Sequence, residues 1–163
     1  MKTEPYQAYF YDKRFAQTAD AARRILDLVL PRIPPVRSAV DVGCGVGAWL
    51  SVLRERGVAD VAGVDGAWID EQLLKIPADK FRRADLSGPL NLKRRFDLAI
   101  SLEVAEHLPP ERADGFVGEL TGAADFVLFS AAIPFQGGYG HVNEQWQSDW
   151  AARFARRGFA VRD

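Results

Sequence analysis

The stretch VDVGCGVGAWL, residues 40–50, joins an apolar run of strand type to a run with helical periodicity. Its glycines, Gly43, Gly45 and Gly47, stand where the strand gives way to the helix. Glycine costs backbone entropy in such a place, so a tight turn or the close approach of a ligand must require it. In a strand–turn–helix unit of an α/β sheet this turn lies at the carboxyl edge, where ligands bind. The stretch therefore predicts a ligand site at the turn.

Strand-like and helix-like segments alternate along the rest of the chain. Strands are predicted at residues 38–43, 61–66, 80–86, 96–104, 125–133 and 159–163, and helices at 13–30, 46–57, 67–76, 110–122 and 143–158. This alternation predicts an α/β fold with a largely parallel sheet and helices on both faces. Within the last predicted helix, Trp146 and Trp150 would share one face. We expect them to pack into the core, the alternative being a platform for the substrate.

The bulk composition limits the classes of protein to consider. A chain of 163 residues suits one domain, and its net charge of −1 favours neither nucleic acid nor a membrane surface. The single Cys44 excludes an internal disulfide and fits a reducing compartment. The N-terminus has no apolar signal core, and the apolar stretch at 126–135 is too short to span a bilayer. We expect a soluble, cytoplasmic protein.

An acidic residue follows the second predicted strand. Asp65 comes about 20 residues after the glycines, where a carboxylate accepts hydrogen bonds from a ribose, so a nucleoside-containing cofactor is predicted. Gly43, Gly45 and Ala48 also match the dinucleotide pattern G-x-G-x-x-G/A, so an NAD(P)-binding oxidoreductase is one interpretation. Against it, Asp41 would sit poorly beside a pyrophosphate and well beside a cationic amino acid group. The acidic segment after the fourth strand would also crowd a nicotinamide.

Four motifs together resemble those of class I S-adenosylmethionine-dependent methyltransferases. They are VDVGCGVGAWL, VAGVDG, RADL and FDLAISLEVAEHLP, in this order, and the resemblance covers residues 36–159. It implies a Rossmann-like fold and S-adenosylmethionine as the cofactor. In this family a sixth strand and an antiparallel seventh complete the sheet, so we expect the C-terminal strands of this chain to be incomplete. We expect one domain, with an N-terminal lid or helix at 1–35 and the core at 36–163.

The resemblance also assigns roles to residues at the predicted carboxyl edge. The methionine and ribose part of the cofactor would lie against the glycine loop, and Asp65 would bind the ribose hydroxyls. The residues implied at this end of the cofactor are Asp41, Gly43, Gly45, Gly47 and Asp65, with the backbone at Ser101 and Leu102 facing the methionine.

The adenine end of the cofactor is assigned in the same way. Trp68 would lie near the adenine, Asp85 would accept from its amino group, and the Leu86 amide would lie beside it. Asp65 and Asp85 are also compatible with plain turn formation, and Trp68 with a role as a core anchor.

The two histidines of the chain, His107 and His141, follow the fourth and fifth predicted strands. Glu103 and Glu106 precede His107, and this E-x-x-E-H motif with a later histidine resembles the metal site of small-RNA 2′-O-methyltransferases. It also resembles that of ubiquinone-pathway O-methyltransferases. The resemblance implies a divalent cation held by Glu103, Glu106, His107 and His141. Because loops after adjacent parallel strands emerge side by side, we expect these four side chains to converge.

Other roles for this cluster stay open. Without a metal, His107 or His141 would serve as a general base, with Glu106 beside them. Alternatively, a glutamate caps the following helix and the histidine packs at its start. A base or a cation activates a hydroxyl, so we predict O-methylation of a small molecule such as a sugar, a quinone or a secondary metabolite. N-methylation and a non-catalytic S-adenosylmethionine-binding module are the alternatives.

Two further segments bear on the substrate. Basic clusters at 80–83 and 93–96 precede predicted strands and would lie at the amino edge of the sheet, away from the cofactor, which argues against nucleic acid as the acceptor. The Gly-rich segment 134–141 would form a rim over the acceptor pocket. Tyr6, Tyr9 and Tyr11 would either close the site as a lid or pack against the sheet.

Overall fold

The computed structural model describes residues 5–162, with the side chains of residues 15–162. Its helices are α1 (Pro5–Val29), α2 (Ala48–Glu55), α3 (Ala113–Ala123) and α4 (Gln147–Ala155). Its strands are β1 (Ser38–Val42), β2 (Asp60–Asp65), β3 (Phe81–Arg83), β4 (Phe96–Leu102) and β5 (Ala124–Ser130). The side chains of Tyr6, Tyr9 and Tyr11, and with them the predicted lid, lie outside the described residues.

The described strands form one parallel sheet in the order β3-β2-β1-β4-β5. The chain leaves central β1 between β2 on one side and β4 on the other, so the glycine loop lies at the point where the strand order reverses. Open α/β sheets bind ligands at this switch point. The predicted parallel α/β fold is confirmed.

Helices cover both faces of the sheet, as predicted. On one face α1 and α2 bury Ala22, Leu26, Leu50 and Leu53 against the sheet. On the other face α3 and α4 contribute the buried side chains Phe116, Leu120, Trp150 and Phe154. Among the helices of residues 5–162, none is long and apolar enough to cross a bilayer.

Helix α2 ends at Glu55, and Gly57, the last residue of the predicted helix, terminates it. Gly57 has a φ of 90°, which glycine adopts without steric cost. Its amide donates to the Arg54 carbonyl at 3.0 Å, and the Val58 amide donates to the Leu53 carbonyl at 3.1 Å. This pair of bonds is a Schellman motif, which satisfies the last carbonyls of the helix.

The helix predicted at 67–76 is wrong. Only the 3-10 helix Glu71–Leu73 forms there. The Asp70 side chain accepts from the Gln72 amide at 2.9 Å, and the Lys75 amide donates to the Val46 carbonyl at 2.8 Å. The Lys75 amide is thus committed to the glycine loop and is not available for a helical bond within this segment.

The C-terminal predictions need two corrections. Residues 159–162 form no strand, because the Phe159 amide donates back to the Phe154 carbonyl at 3.1 Å after the turn at Gly158. Helix α4 begins at Gln147 rather than at residue 143, so Trp146 precedes it. Trp146 is 48% exposed whereas Trp150 is 4% exposed. The predicted core position is therefore confirmed for Trp150 and wrong for Trp146.

Arginines of both basic clusters pair with neighbouring carboxylates. Arg94 makes two hydrogen bonds to the Asp60 carboxylate, of 2.7 and 2.6 Å, at the amino end of β2. Arg83, however, pairs in register with Asp65 at the carboxyl edge, so the predicted amino-edge position of residues 80–83 is wrong. Its guanidinium forms an ion pair with Glu71 at 2.9 Å.

Trp150→Ala is expected to destabilise the fold far more than Trp146→Ala. Trp150 is buried with Phe129 and Phe154, with ring centroids 5.2 Å apart for Trp150 and Phe129. Its truncation leaves a cavity and should lower the free energy of unfolding by about 3–5 kcal/mol, against less than about 1 kcal/mol for exposed Trp146. Urea denaturation measures both values. Equal losses in the two variants would contradict the position of Trp150 in the core.

Candidate cofactor and acceptor site

The glycine loop runs close to its neighbours, so a side chain would clash at Gly43 and would crowd its neighbour at Gly47. Gly43, Gly45 and Gly47 have φ angles of 84°, 54° and 87°, all in the left-handed region. A Cβ on Gly43 would lie 2.2 Å from Val104 Cγ2, and one on Gly47 would lie 3.0 Å from Ile76 Cγ1. A Cβ on Gly45 would meet no described atom within 4 Å. The loop thus needs glycine for conformation throughout, and at Gly45 its backbone faces open space.

Asp65 holds the glycine loop against the end of β2. Its Oδ2 accepts from the Gly45 amide and its Oδ1 from the Gly66 amide, each at 2.6 Å. Burial raises the pKa of the Asp65 carboxyl, and the bonds from Gly45 and Gly66 oppose that rise. The structure places Asp65 at the predicted edge, where it also orders the loop.

Asp41 is buried in β1 directly before the loop. Its Oδ2 has no hydrogen-bond partner among the described residues. Burial, and secondarily the Asp65 carboxylate, raise its pKa to about 8. Burying a carboxylate without a partner is costly, and a cation at this position would remove the cost. Nearby Cys44 is buried, which raises the pKa of its thiol and argues against a nucleophilic role.

The residues predicted at the adenine end lie at the same edge. Trp68 is 72% exposed, and a Cβ on Gly66 would lie 2.2 Å from its ring, so the ring covers Gly66 and the role of core anchor is wrong. Oδ1 of Asp85 accepts from the amide and hydroxyl of Ser87, at 2.9 and 2.6 Å, which lowers the Asp85 pKa. In the structure Asp85 thus caps a turn.

Two features beside these residues extend the site. The carbonyls of Leu86 and Gly88 accept hydrogen bonds from Arg112, at 3.3 and 2.9 Å, so Arg112 ties this segment to α3. Sequence reasoning missed Arg112, because nothing in its local pattern points to a partner about 25 residues away.

Ser101 is fully buried at the end of β4, and its Oγ lacks a hydrogen-bond partner within the described structure.

Three of the four predicted ligands come together. Candidate ligand atoms of Glu106, His107 and His141 all lie within 4.8 Å of one another. The two imidazole rings meet edge to face, with centroids 4.8 Å apart. Glu106 is fully buried, and neither carboxylate oxygen has a hydrogen-bond partner of good geometry in the described part of the chain. Burial raises its pKa, with a smaller contribution in the same direction from Glu103.

Glu103 lies outside this cluster, so the predicted convergence of all four side chains is wrong for this residue. Its φ of 56° places the backbone in the left-handed region, which turns the chain away directly after β4. Its Oε1 accepts from the Ser130 hydroxyl at 2.7 Å, at the end of β5. The alternative in which Glu103 caps a helix is not seen either.

Asn143 joins the two loops that carry the histidines. The amides of Val142 and Asn143 both donate to the Glu106 carbonyl, at 2.9 and 3.0 Å. The Asn143 side chain donates to the Ala105 carbonyl at 3.1 Å and is buried. Sequence reasoning missed this residue, although a buried asparagine between two loops is what brings His141 to His107.

Each histidine is held through its Nδ1 atom. His107 Nδ1 lies 3.2 Å from the Gly140 carbonyl oxygen, and His141 Nδ1 lies 2.9 Å from Glu144 Oε1. Carbonyl and carboxylate oxygens only accept, so Nδ1 carries the proton in each neutral ring and Nε2 keeps a lone pair. Both rings are thereby prepared to accept a proton or to bind a cation through Nε2. Glu144 was not predicted.

Large apolar side chains are exposed on the loop between β5 and α4. Phe135 is 94% exposed, Tyr139 fully exposed and Val142 60% exposed. Phe135 has a φ of 73° in a turn closed by the Gln136 amide and the Ile133 carbonyl at 3.0 Å. Glycine normally occupies this position of such a turn, so an exposed phenylalanine there is strained. Strain of this kind concentrates at functional sites.

The sequence matches known proteins over more than half of its length. Residues 12–114 match a family model described as a methyltransferase domain. Methoxy mycolic acid synthase MmaA3 of Mycobacterium tuberculosis is 27% identical over 121 residues, which cover 70% of this chain and 41% of that protein. The chain thus spans less than half the length of the curated relatives that it matches.

Two solved structures illustrate the likeness of the fold. Magnesium protoporphyrin IX methyltransferase (ChlM) from Synechocystis PCC 6803, with bound SAH, superposes with a TM-score of 0.64 at 22% identity, covering 100% of this chain and 81% of that one. Streptomyces venezuelae DesVI gives a TM-score of 0.63 at 23% identity, covering 85% and 62%. These likenesses confirm the predicted fold class.

Asp41→Asn is expected to flatten the dependence of stability on pH. The Asp41 pKa is about 8 in the native protein, against about 4 in an unfolded chain. The protonated carboxyl therefore stabilises the fold fully below about pH 4, and this contribution is lost as the pH rises through about 8. From about pH 5 to 9 the unfolding free energy of the wild type should fall by about 2–5 kcal/mol more than that of the variant.

Urea denaturation without ligand at a series of pH values measures this difference. Glu111→Gln, which removes an exposed carboxyl away from the site, is the matched control and should keep the wild-type slope. An Asp41→Asn variant with the wild-type slope would show that Asp41 is not the group whose protonation stabilises the fold.

Proposed function

The chain belongs to the methyltransferase domain family, and from this premise we propose that it transfers a methyl group from S-adenosylmethionine to a small molecule, by O-methylation. One observation carries the proposal. The loop with Glu106 and His107 abuts the glycine loop, because Val104 leaves no room for a Cβ on Gly43. A cluster that accepts protons therefore lies beside the place where the family holds its methyl donor.

The residues of the glycine loop suit S-adenosylmethionine. The buried Asp41 carboxylate, with its unpartnered Oδ2, matches the ammonium group of a methionine moiety. Gly45 offers a backbone without a Cβ beside open space. Asp65 retains lone pairs for ribose hydroxyls, and the exposed Trp68 ring supplies a stacking surface for adenine. Asp85 and the Leu86 amide would complete the adenine end, with Ser101 at the methionine end.

The chemistry needs alignment and the removal of one proton. When bound, S-adenosylmethionine supplies an electrophilic methyl group on a sulfonium. In-line attack of an acceptor hydroxyl on that carbon would release S-adenosylhomocysteine, and Nε2 of His107 or His141 would take up the hydroxyl proton. Alignment in ideal cases contributes about 7–11 kcal/mol, and general-base catalysis typically about 10²–10⁴-fold.

The rim of the site favours an acceptor with a flat or apolar body. Phe135, Tyr139 and Val142 are the exposed apolar side chains of this rim. An apolar rim matches a quinone or another apolar secondary metabolite better than a sugar. Among the relatives, one is named a methoxy mycolic acid synthase and another a magnesium protoporphyrin IX methyltransferase, and neither name refers to a sugar.

The cluster also fits a divalent cation, held by Glu106, His107 and His141. Glu106 offers a buried carboxylate without partners, and each histidine donates its Nδ1 proton to an oxygen, as metal-binding imidazoles usually do. Two nitrogens and one carboxylate favour manganese, iron or zinc over magnesium. A cation there would lower the pKa of an acceptor hydroxyl. Without a cation, the two imidazoles remain as the candidate bases.

Cofactor choice is tested by binding and turnover with the full-length protein. S-adenosylmethionine and S-adenosylhomocysteine should each raise the melting temperature, and NAD should not. Asp65→Asn should weaken both ligands by at least about tenfold, because it removes a charge-assisted acceptor at the ribose. Glu111→Gln should bind like the wild type. Pools of candidate acceptors are then screened for formation of S-adenosylhomocysteine.

Each other result selects a different function. Stabilisation by NAD alone would replace the methyltransferase with an oxidoreductase. Binding of S-adenosylmethionine without turnover of any acceptor pool would indicate a non-catalytic binding module. Turnover restricted to amines would move the proposal from O-methylation to N-methylation.

The metal is tested with Mn²⁺ and paired glutamate variants. Glu106→Gln should weaken Mn²⁺ binding, measured by titration calorimetry, by at least about tenfold, because it removes a ligand. Glu103→Gln should change it by less than about threefold, since Glu103 bonds to Ser130 outside the cluster. Chelator treatment that leaves the rate of methyl transfer unchanged would rule out the metal and leave His107 or His141 as the base.

A further inference from the structure

Glu144 is a carboxylate at the centre of the loop that follows β5. Its Oε1 accepts from the Gly137 amide and lies 2.9 Å from His141 Nδ1, and the Gly137 bond is also 2.9 Å. Its Oε2 accepts from the Phe135 amide at 3.0 Å. The side chains of His141 and Glu144 are only 13% and 20% exposed. One side chain thus contacts both the aromatic rim and one of the two histidines.

The contact with His141 fixes the chemistry of the ring. A carboxylate oxygen has no proton to give, so the neutral ring donates from Nδ1 and keeps its lone pair on Nε2. The backbone amides of Phe135 and Gly137 donate to the same carboxylate, so every contact of Glu144 requires it to be an acceptor. Hydrogen bonding to water alone would not favour the tautomer with the proton on Nδ1.

The same carboxylate determines the path of the rim. Gly137 and Gly140 have φ angles of 68° and 75°, and a Cβ on Gly138 would lie 2.3 Å from His141 Nε2. Such a glycine-rich loop has many accessible conformations, and the bonds from Phe135 and Gly137 to Glu144 select one of them. In that conformation the imidazole of His141 lies over the backbone at Gly138.

We propose that Glu144 is a positioning residue that couples the closed rim loop to the Nδ1–H tautomer of His141. This inference rests on the proposed methyltransferase function, since that function needs a histidine with a free Nε2 lone pair in the cluster with His107 and Glu106. Glu144 acts through His141 and does not itself contact the acceptor. When the rim departs from this path, His141 loses the partner that fixes its proton, so loop closure and a prepared base occur together.

The direct test measures the tautomer in the full-length protein with a chelator present. Long-range ¹H–¹⁵N correlation spectra distinguish a histidine with the proton on Nδ1 from one with the proton on Nε2. The wild type should show His141 with its proton on Nδ1. Glu144→Ala should shift His141 towards the Nε2–H form, and the exposed control Glu111→Gln should leave it unchanged.

Glu144→Gln serves as a second variant in case Glu144→Ala does not fold. Its carboxamide has one oxygen and one NH₂ group, so it cannot accept at both of the positions that Glu144 uses. We expect an intermediate tautomer population and a rate of methyl transfer lowered by at least about tenfold. The affinity for S-adenosylhomocysteine should change by less than about twofold, because Glu144 has no contact with the glycine loop.

The results separate this inference from the proposed function. A wild-type His141 with its proton on Nε2, or variants that keep the wild-type tautomer, would overturn the role of Glu144 even if methyl transfer is observed. A wild type that binds no S-adenosylmethionine would instead refute the proposed function, whatever the tautomer. Variants in which the loop is disordered but His141 keeps the wild-type tautomer would show that Glu144 only fixes the loop. That result would also overturn the inference.

Discussion

The carboxylate of Asp65 bonds to two amides at once, that of Gly45 in the glycine loop and that of Gly66 after β2. These bonds join the ends of two adjacent strands at the switch point of the sheet. A Cβ on Gly43 or Gly47 would crowd Val104 or Ile76, so the loop packs closely against these side chains, and Asp65 holds it through the Gly45 amide. The position of Gly45 beside open space follows from these two restraints.

The carboxyl edge also concentrates buried acidic groups. Asp41, Asp65 and Glu106 are each at most 5% exposed, and burial raises the pKa of all three. Asp65 is compensated by amides, whereas Asp41 and Glu106 have unpartnered oxygens within the described structure. A fold selected for stability alone would avoid such groups. A cationic ligand would offset the cost of burying Asp41, and a cation or a transferred proton would offset that of burying Glu106. For this reason we place the cofactor at Asp41 and the acceptor chemistry at Glu106.

How far the sequence predicts this arrangement depends on the range of the interactions. The turn after β1 and the end of α2 at Gly57 are local, since φ angles that only glycine adopts freely can be read from single residues. The meeting of His107 and His141 was also predictable, because parallel topology brings the loops after β4 and β5 together. The prediction of a helix at 67–76 was wrong because the bond from the Lys75 amide to the Val46 carbonyl is a tertiary contact, which the local sequence pattern does not show.

The acceptor cluster shows the same limit at the level of single side chains. Glu103 belongs to the E-x-x-E-H motif, but a left-handed backbone turns it towards Ser130, and motif spacing carries no information about backbone handedness. Glu144 and Asn143 were missed because their partners lie on other segments or in an irregular loop.

The two halves of the site share one structural element, the segment directly after β4. Val104 in this segment packs against Gly43 of the glycine loop, and two residues later comes Glu106, the first member of the cluster with His107 and His141. The Glu106 carbonyl in turn accepts the amides of Val142 and Asn143, which hold the second histidine in place. A displacement of the glycine loop would therefore pass through Val104 to Glu106 and on to His141 by direct contacts. Protein interiors are densely packed and transmit strain over such short distances. The glycine loop and the cluster of Glu106, His107 and His141 are thus joined through this one short segment and its neighbours, rather than assembled as two independent sites.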